Sequence, residues 1–380
     1  MLIDAWLARA ASARPEAIAL EGEHGSLTYA QLLAAARAGA AELTSEGVRA
    51  GERIAIALPA GIDFACALHA TLLAGAVAVP VDVRLGEAER AQVTNGVKRL
   101  IVSPLGGSRA AAQDAPRLVH ELDSVAAVIH TSGTSATPKP VELTYGNFLW
   151  SALGSEVALG GDPRERWLCT LPVSHVGGLS ILLRSAIGAT TAVIHGRFET
   201  DRVLDALNTG RITVVSLVAA TLQRLLDAGL EHPPHLRCAL TGGGPVPREL
   251  VDRARAAGVR VSATYGLTEA CSQVATTPLA ALEGGARPLF CTRVETDDSS
   301  NEILVGGPTV ARGRADRNGW LHTGDTGRVD AAGALHVTGR LSETIITGGE
   351  NVAPEEVEGA LATHPDVAEA GVFGRADARW

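Results

Sequence analysis

The sequence predicts an α/β protein: a large N-terminal domain of parallel-type αβ layers with a β-rich subdomain, then a small, partial α+β C-terminal domain. Three observations predict it. From Arg53 to Thr264, short apolar runs alternate with helical patterns, which is the order of parallel strand–helix–strand units. After Leu282 the texture changes to short strands separated by turn signals. Gly339-Arg340-Leu341-Ser342 then reads as a junction, so residues 1–340 form one domain and 341–380 the start of another, which is incomplete.

The elements follow in order. Residues 3–13 mix apolar and polar positions at helical spacing. Leu27-Thr28-Tyr29 opens a helix to Leu43, with Leu32, Leu33, Ala36 and Ala40 on one face. Gly51 and Glu52 turn into a strand, Arg53 to Leu58, stopped by Pro59. Phe64 to Leu73 reads as a buried helix and Ala76 to Val79 as the next strand. The alternation resumes with strands at Trp167 to Leu171, Thr191 to Ile194, Val214 to Leu217, Cys238 to Leu240 and Val261 to Thr264. Strands at Glu302 to Val305, Gly327 to Val329 and Leu335 to Val337 make the β-rich part. Ile345-Ile346-Thr347 and a helix from Pro354 to Ala362 open the last domain.

Composition sets limits. A net charge of −9 and a pI near 5.7 argue against a nucleic-acid partner held by bulk electrostatics. Cys66, Cys169, Cys238, Cys271 and Cys291 are scattered, with no C-x-x-C pair, so neither a zinc site nor a disulfide framework is indicated. The N-terminus does not read as a signal peptide, and the long apolar region from Ile54 to Val83 is cut by Pro59, Asp63 and Pro80. The expectation is a soluble cytoplasmic protein with no membrane partner.

One stretch carries the chemistry. From His130 to Asn147 an apolar run switches to HTSGTSATPKPVELTYGN. Thr131, Ser132, Gly133, Thr134, Ser135 and Thr137 precede Lys139, so backbone N–H groups, short hydroxyls and a cation share a small volume. A polyphosphate needs such a set. The P-loop pattern is absent, and a solvated polar turn is the plainer alternative. Lysine occurs only at Lys98 and Lys139, so this compact ammonium stands out in a chain that otherwise uses arginine.

Other strand ends carry small or polar residues, where open parallel sheets bind ligands. Gly242-Gly243-Gly244 permits close approach to a flat ring, and Tyr265 can stack on it. Glu269 can hold a divalent metal with phosphate oxygens. Asp325 suits two ribose hydroxyls. Each also reads as an ordinary turn residue, and singly none decides.

Together, HTSGTSATPKP, TGGGPVP, TYGLTE, WLHTGDTG and GRLSETIITGGENVAPEEVE, in that order, resemble the ANL superfamily of adenylate-forming acyl-CoA synthetases. The resemblance runs from LTYAQL and GAVAVPVDVRL near the N-terminus to the last residue. LPVSHVGGLSILLRSAIGATT and GLTEACSQVATT look most like the o-succinylbenzoate–CoA ligase branch, which serves menaquinone biosynthesis.

The resemblance implies a role for each residue. Thr131, Ser132, Gly133, Thr134 and Lys139 would grip the phosphates of ATP. Glu269, with Thr134, would bind Mg2+, and Thr268 would lie near the α-phosphate. Gly243, Gly244 and Tyr265 would frame adenine; Asp325 and Arg340 would hold the ribose. A small-molecule carboxylic acid would attack the α-phosphate, and CoA, the cosubstrate, would take the acyl group. Ser342 matches the hinge about which the small domain turns, and the Gly348-Gly349-Glu350 loop would face the site during thioester formation. His175 would wall the acyl pocket, with a backbone-satisfied helix start as the alternative. Arg184, Gln273 and the adjacent Ser272 would meet a second carboxylate, although Arg184 also reads as a solvated helix residue.

Two departures matter. Ala136 and Pro140 stand where the family has glycine. The family also uses a lysine near its C-terminus for adenylation, and no lysine follows Lys139. The expectation is a truncated chain or gene fragment with slow adenylation. Two further functions stay open: another acyl- or aminoacyl-adenylating enzyme delivering to a carrier protein, and a catalytically weak nucleotide- or acyl-binding form.

Overall fold

The computed structural model describes residues 1–106, 117–131, 138–343, 345–347, 350–352, 354–362, 364, 367 and 370–375. Among them the strands form two larger sheets and a smaller antiparallel one, besides two two-stranded pairings. The five-stranded sheet runs Arg99–Ile101, Arg53–Ile56, Val77–Pro80, Val125–Thr131, Lys139–Thr144. Its first four strands are parallel and the last is antiparallel. The nine-stranded sheet is parallel at its centre, through Val261–Leu267, Cys238–Thr241, Val214–Leu217, Arg166–Cys169, Thr191–Ile194 and Ile18–Gly22. Antiparallel strands close both edges.

The strands alternate because they are covered on both faces. Ile54 and Ile56 join the central core, while Ala55 between them faces a second cluster with Val77 and Val79. In the larger sheet Trp167 and Cys169 join the central core and Leu168 the outer one. The central core thus contains the inner faces of both sheets, with helices Tyr29–Ser45, Ile62–Leu73, Tyr145–Leu159 and Val176–Gly188 between them. Helices Thr200–Thr209, Ala219–Asp227 and Arg248–Ala256 cover the outer face of the larger sheet. The result is helix, sheet, helix, sheet, helix in layers.

The expected strand–helix–strand unit is present, with Arg53–Ile56 and Val77–Pro80 paired in parallel around Ile62–Leu73. The β-rich part is the sheet Arg293–Thr296, Glu302–Gly306, Leu321–Val329, Leu335–Arg340. Beyond it lie the hairpin Ile345–Thr347 with Glu350–Val352, and the helix Pro354–Ala362.

Val125–Thr131 is a strand that runs into the hydroxyl-rich stretch, and Lys139–Thr144 pairs back against it antiparallel, ahead of a helix. Thr131 pairs with Lys139, and Thr144 caps the helix Tyr145–Leu159 in a reciprocal box with Asn147. The pairing partner of Lys139–Thr144 lies upstream across the hydroxyl-rich turn, so alternation alone did not reveal it. Ser132, Gly133 and Thr134, with the departure at Ala136, lie outside the described residues, as do Gly348 and Gly349.

Candidate active site

The central parallel strands of the larger sheet end at one edge, and most expected site residues follow those ends. Gly242-Gly243-Gly244 leaves the tip of Cys238–Thr241. Gly243 has φ of 79°, a left-handed conformation that glycine adopts freely. The neighbouring strand carries Tyr265 and then Gly266, where the pairing with Ser272–Thr276 slips by a bulge. A Cβ at Gly266 would overlap the carbonyl oxygen of Ser272, so the bulge excludes a side chain there. Thr268 and Glu269 follow in a 3-10 turn.

Asp325 comes from the separate antiparallel sheet, yet Tyr265 Oη donates to its Oδ2 at 2.7 Å. Arg340, its cross-strand partner, brings Nε to within 3.2 Å of Oδ1. Asp325 is buried inside a strand, which excludes the turn-residue reading. Burial and the Asp325 carboxylate together push the Tyr265 hydroxyl far above its ordinary pKa, so it stays a donor.

Lys139 and Glu269 are joined through the segment 308–314. Asn147 Nδ2 donates to the carbonyls of Pro308 and Val310 at 2.8 and 3.0 Å. The Ala311 N–H donates to the carbonyl of Glu269 at 2.7 Å, and Arg314 Nη2 donates to that of Pro140 at 2.7 Å. The hairpin with Lys139, the turn with Glu269 and the strand end with Tyr265 therefore form one connected arc, onto which Asp325 is hydrogen-bonded. Lys139 is exposed, and Glu269 is half-buried. Among the described residues neither side chain has a hydrogen-bond or ion-pair partner. Glu269, a half-buried carboxylate with no cation partner among the described residues, is an oxygen donor that fits Mg2+ with phosphate oxygens, and Lys139 is an exposed cation on the same arc. Asn147 was not singled out from the sequence; the Thr144-x-x-Asn147 spacing after a hydroxyl run was the signal for it.

His175 precedes the helix Val176–Gly188 as its N-cap, without a side-chain cap bond. It is exposed, and the described structure gives its ring no backbone partner. It faces the tip of the smaller sheet at Asp82, whose carboxyl is held below the usual range by Arg84 hydrogen bonds, with His175 contributing. The two sheets thus present their strand ends to each other here.

Arg184 lies two turns further along that helix and is half-buried, with Nε and Nη2 shielded from solvent. Its guanidinium carbon sits 4.7 Å from the centroid of the Trp167 ring. Its Nε and Nη2 have no partner among the described residues. Burial pushes its pKa down to about 10, so it stays charged at neutral pH. It borders a cavity of about 230 Å3 with Trp167, Ser155, Glu165 and Thr190. Cys271 is close enough to Arg184 for the cation to act on its thiol. Ser272 and Gln273 follow directly; Gln273 is buried with neither amide atom partnered among the described residues. Cys271 and Ser272 have φ of 54° and 88°, a strained pair next to that amide. Ser342 is exposed in the 3-10 turn Leu341–Glu343, directly after the strand that ends at Arg340.

The AMP-binding enzyme family model matches residues 7–118 and 100–313. The chain belongs to that family. The 2-succinylbenzoate–CoA ligase of Bacillus subtilis (strain 168) is 36% identical over 415 residues, covering 99% of this chain and 85% of the relative. That of Geobacillus kaustophilus is 36% identical over 99% of this chain and 85% of its own. Among solved structures, the Bacillus subtilis o-succinylbenzoate CoA synthetase with its acyl-adenylate intermediate superposes with a TM-score of 0.92. It is 36% identical and covers 99% of this chain and 86% of that one. The same synthetase with ATP and magnesium ion gives 0.93 at 35% identity, covering 100% and 88%. The αβ fold with its antiparallel subdomain is therefore that of the adenylate-forming AMP-binding enzymes.

Proposed function

We propose that the chain is an ATP-dependent acid–CoA ligase acting on an aromatic dicarboxylate, o-succinylbenzoate, as its relatives do by name. Arg184 carries the choice of substrate: a cation whose Nε and Nη2 are shielded and unpartnered among the described residues calls for an anion, and a dicarboxylate keeps a second one after its first is activated. Gln273 and Ser272 would meet the second carboxylate with Arg184, and His175 would wall the acyl group.

In the first half-reaction a carboxylate oxygen of the acid attacks the α-phosphorus of ATP. The bond from that phosphorus to the bridging oxygen breaks, and pyrophosphate leaves. Lys139, with Thr131, Ser132, Gly133 and Thr134, holds the phosphates, and Thr268 lies near the α-phosphate. Glu269 and Thr134 would hold Mg2+, which neutralises phosphate charge when bound. Gly243, Gly244 and Tyr265 frame adenine, while Asp325 and Arg340 hold the ribose. In the second half-reaction the thiol of CoA attacks the activated carbonyl, AMP leaves, and the thiol proton passes to solvent. Residues 1–340 act as the nucleotide- and acid-binding body, and Ser342 is the hinge for 341–380. The net charge of −9 argues against a nucleic-acid partner held by bulk electrostatics. No helix among the described residues is long and apolar enough to cross a membrane.

The test is mass spectrometry of acyl-AMP and acyl-CoA across a panel of carboxylic acids, with and without CoA. The expected result is the o-succinylbenzoyl adenylate without CoA and the thioester with it. An adenylate formed only from other acids, or transferred only to a carrier protein, overturns the assignment. ATP binding with no adenylate from any acid supports the catalytically weak form instead.

A further inference from the structure

We propose that the hydroxyl of Tyr265 is a positioning group that fixes the Asp325 carboxylate so that it accepts from both ribose hydroxyls, making the site select ribonucleotides over deoxynucleotides. The inference rests on the nucleotide reading above and deepens it.

The geometry carries it through a count of acceptor positions. An ionised carboxylate offers about four lone-pair sites, two on each oxygen. Tyr265 Oη takes one on Oδ2 at 2.7 Å, and Arg340 Nε approaches Oδ1 at 3.2 Å. One acceptor site stays open on each oxygen, which suits a vicinal diol. The backbone behind the carboxylate is fixed as well. The Asp325 N–H donates to Thr323 Oγ1 at 3.1 Å, and Thr323 Oγ1 donates to the carbonyl of Ile303 at 2.7 Å. The side-chain torsions of Asp325 are left to set, and the terminal one is intrinsically broad. The two groups touching the carboxylate are unequal: the Arg340 side chain is 62% exposed, whereas Tyr265 packs against the core of the antiparallel sheet. Tyr265 is therefore the stiffer of the two restraints.

Removing the hydroxyl while keeping the ring separates this role from stacking on the base. In Tyr265→Phe the carboxylate gains a free acceptor site and rotational freedom, so it no longer requires both hydroxyls in one place.

The experiment is calorimetric binding of ATP, 2′-deoxy-ATP and 3′-deoxy-ATP to the wild-type chain, Y265F and D325A. The wild type is expected to lose roughly tenfold in affinity with either deoxynucleotide, as for a lost hydrogen bond to a charged group. Y265F is expected to weaken ATP by roughly threefold to fivefold and to shrink both discrimination ratios by a similar factor. D325A is expected to abolish the discrimination. If D325A weakens ATP but Y265F keeps both ratios, this inference alone is overturned. If D325A leaves ATP binding unchanged, the ribose assignment of Asp325 falls with it. Should Y265F not fold, the wild-type series decides: discrimination against just one of the two deoxynucleotides overturns the two-acceptor geometry.

Discussion

The guanidinium carbon of Arg184 stands 4.7 Å from the ring centroid of Trp167, with Nε and Nη2 shielded from solvent although the residue as a whole is half-buried. The aromatic face supplies part of the stabilisation that hydration would otherwise give the cation. Arg184→Leu should therefore cost little stability or raise it, since a partly desolvated charge with no ion pair at contact distance among the described residues is exchanged for apolar volume. Affinity for o-succinylbenzoate should fall by roughly 1.5–3 kcal/mol, the worth of a hydrogen bond to a charged group. The matching monocarboxylate should be affected far less. Comparing KM for the two acids in wild type and variant reads this out, and an equal loss for both contradicts the assignment.

Lys139 and Glu269 stand at two ends of the same arc. Lys139→Ala and Glu269→Gln should each lower the rate of adenylate formation by roughly 10²–10³-fold, the usual loss when one group that meets developing charge is removed. Melting temperatures should stay within a few degrees, because neither side chain has a partner among the described residues to lose. Single-turnover formation of acyl-AMP is the measurement. A rate unchanged in both variants removes them from the phosphate site.

Asn147 ties the hairpin to the segment 308–311. Asn147→Ala leaves the part-buried carbonyls of Pro308 and Val310 and the buried N–H of Thr144 without this partner. The expected loss is about 2–4 kcal/mol in a denaturant titration. Asn147→Asp keeps the acceptor for Thr144 but faces two carbonyls with a carboxylate, so it should not rescue. A midpoint equal to wild type in either variant speaks against the clamp.

Gly266 sits where the carbonyl of Ser272 approaches the backbone too closely for any Cβ. Gly266→Ala should destabilise by more than about 4 kcal/mol, in the range reserved for overpacking against rigid backbone. Soluble yield and thermal melting report it. A well-folded alanine variant would mean that the bulge relaxes.

His69 and His120 are both driven by burial to a pKa of about 4, from an ordinary 6.5, with Arg117 adding to the effect at His120. The folded state then binds fewer protons than the unfolded state between those two values. Stability is complete above pH 6.5 and is lost as the pH falls from 6.5 toward 4. For His69 the full drop corresponds to roughly 3 kcal/mol. Denaturation midpoints from pH 7.5 to 4.5 should show this slope, and His69→Leu should flatten it. An unchanged slope in that variant assigns the pH dependence to other groups.

The sequence by itself determined the αβ alternation, the change of texture after Leu282 and the candidate site residues. These are local signals: apolar period, glycine and proline stops, and a scarce lysine in a hydroxyl-rich turn. Tertiary structure decided what those residues touch. That Lys139 pairs with Thr131, and that Tyr265 on one sheet bonds Asp325 on another, depends on partners 8 and 60 positions away, and no window of neighbours encodes them. Arg184 shows the limit most plainly. Its sequence position fits a solvated helix face equally well, and only the layer of helices packed between two sheets shields its Nε and Nη2 and lays it over Trp167.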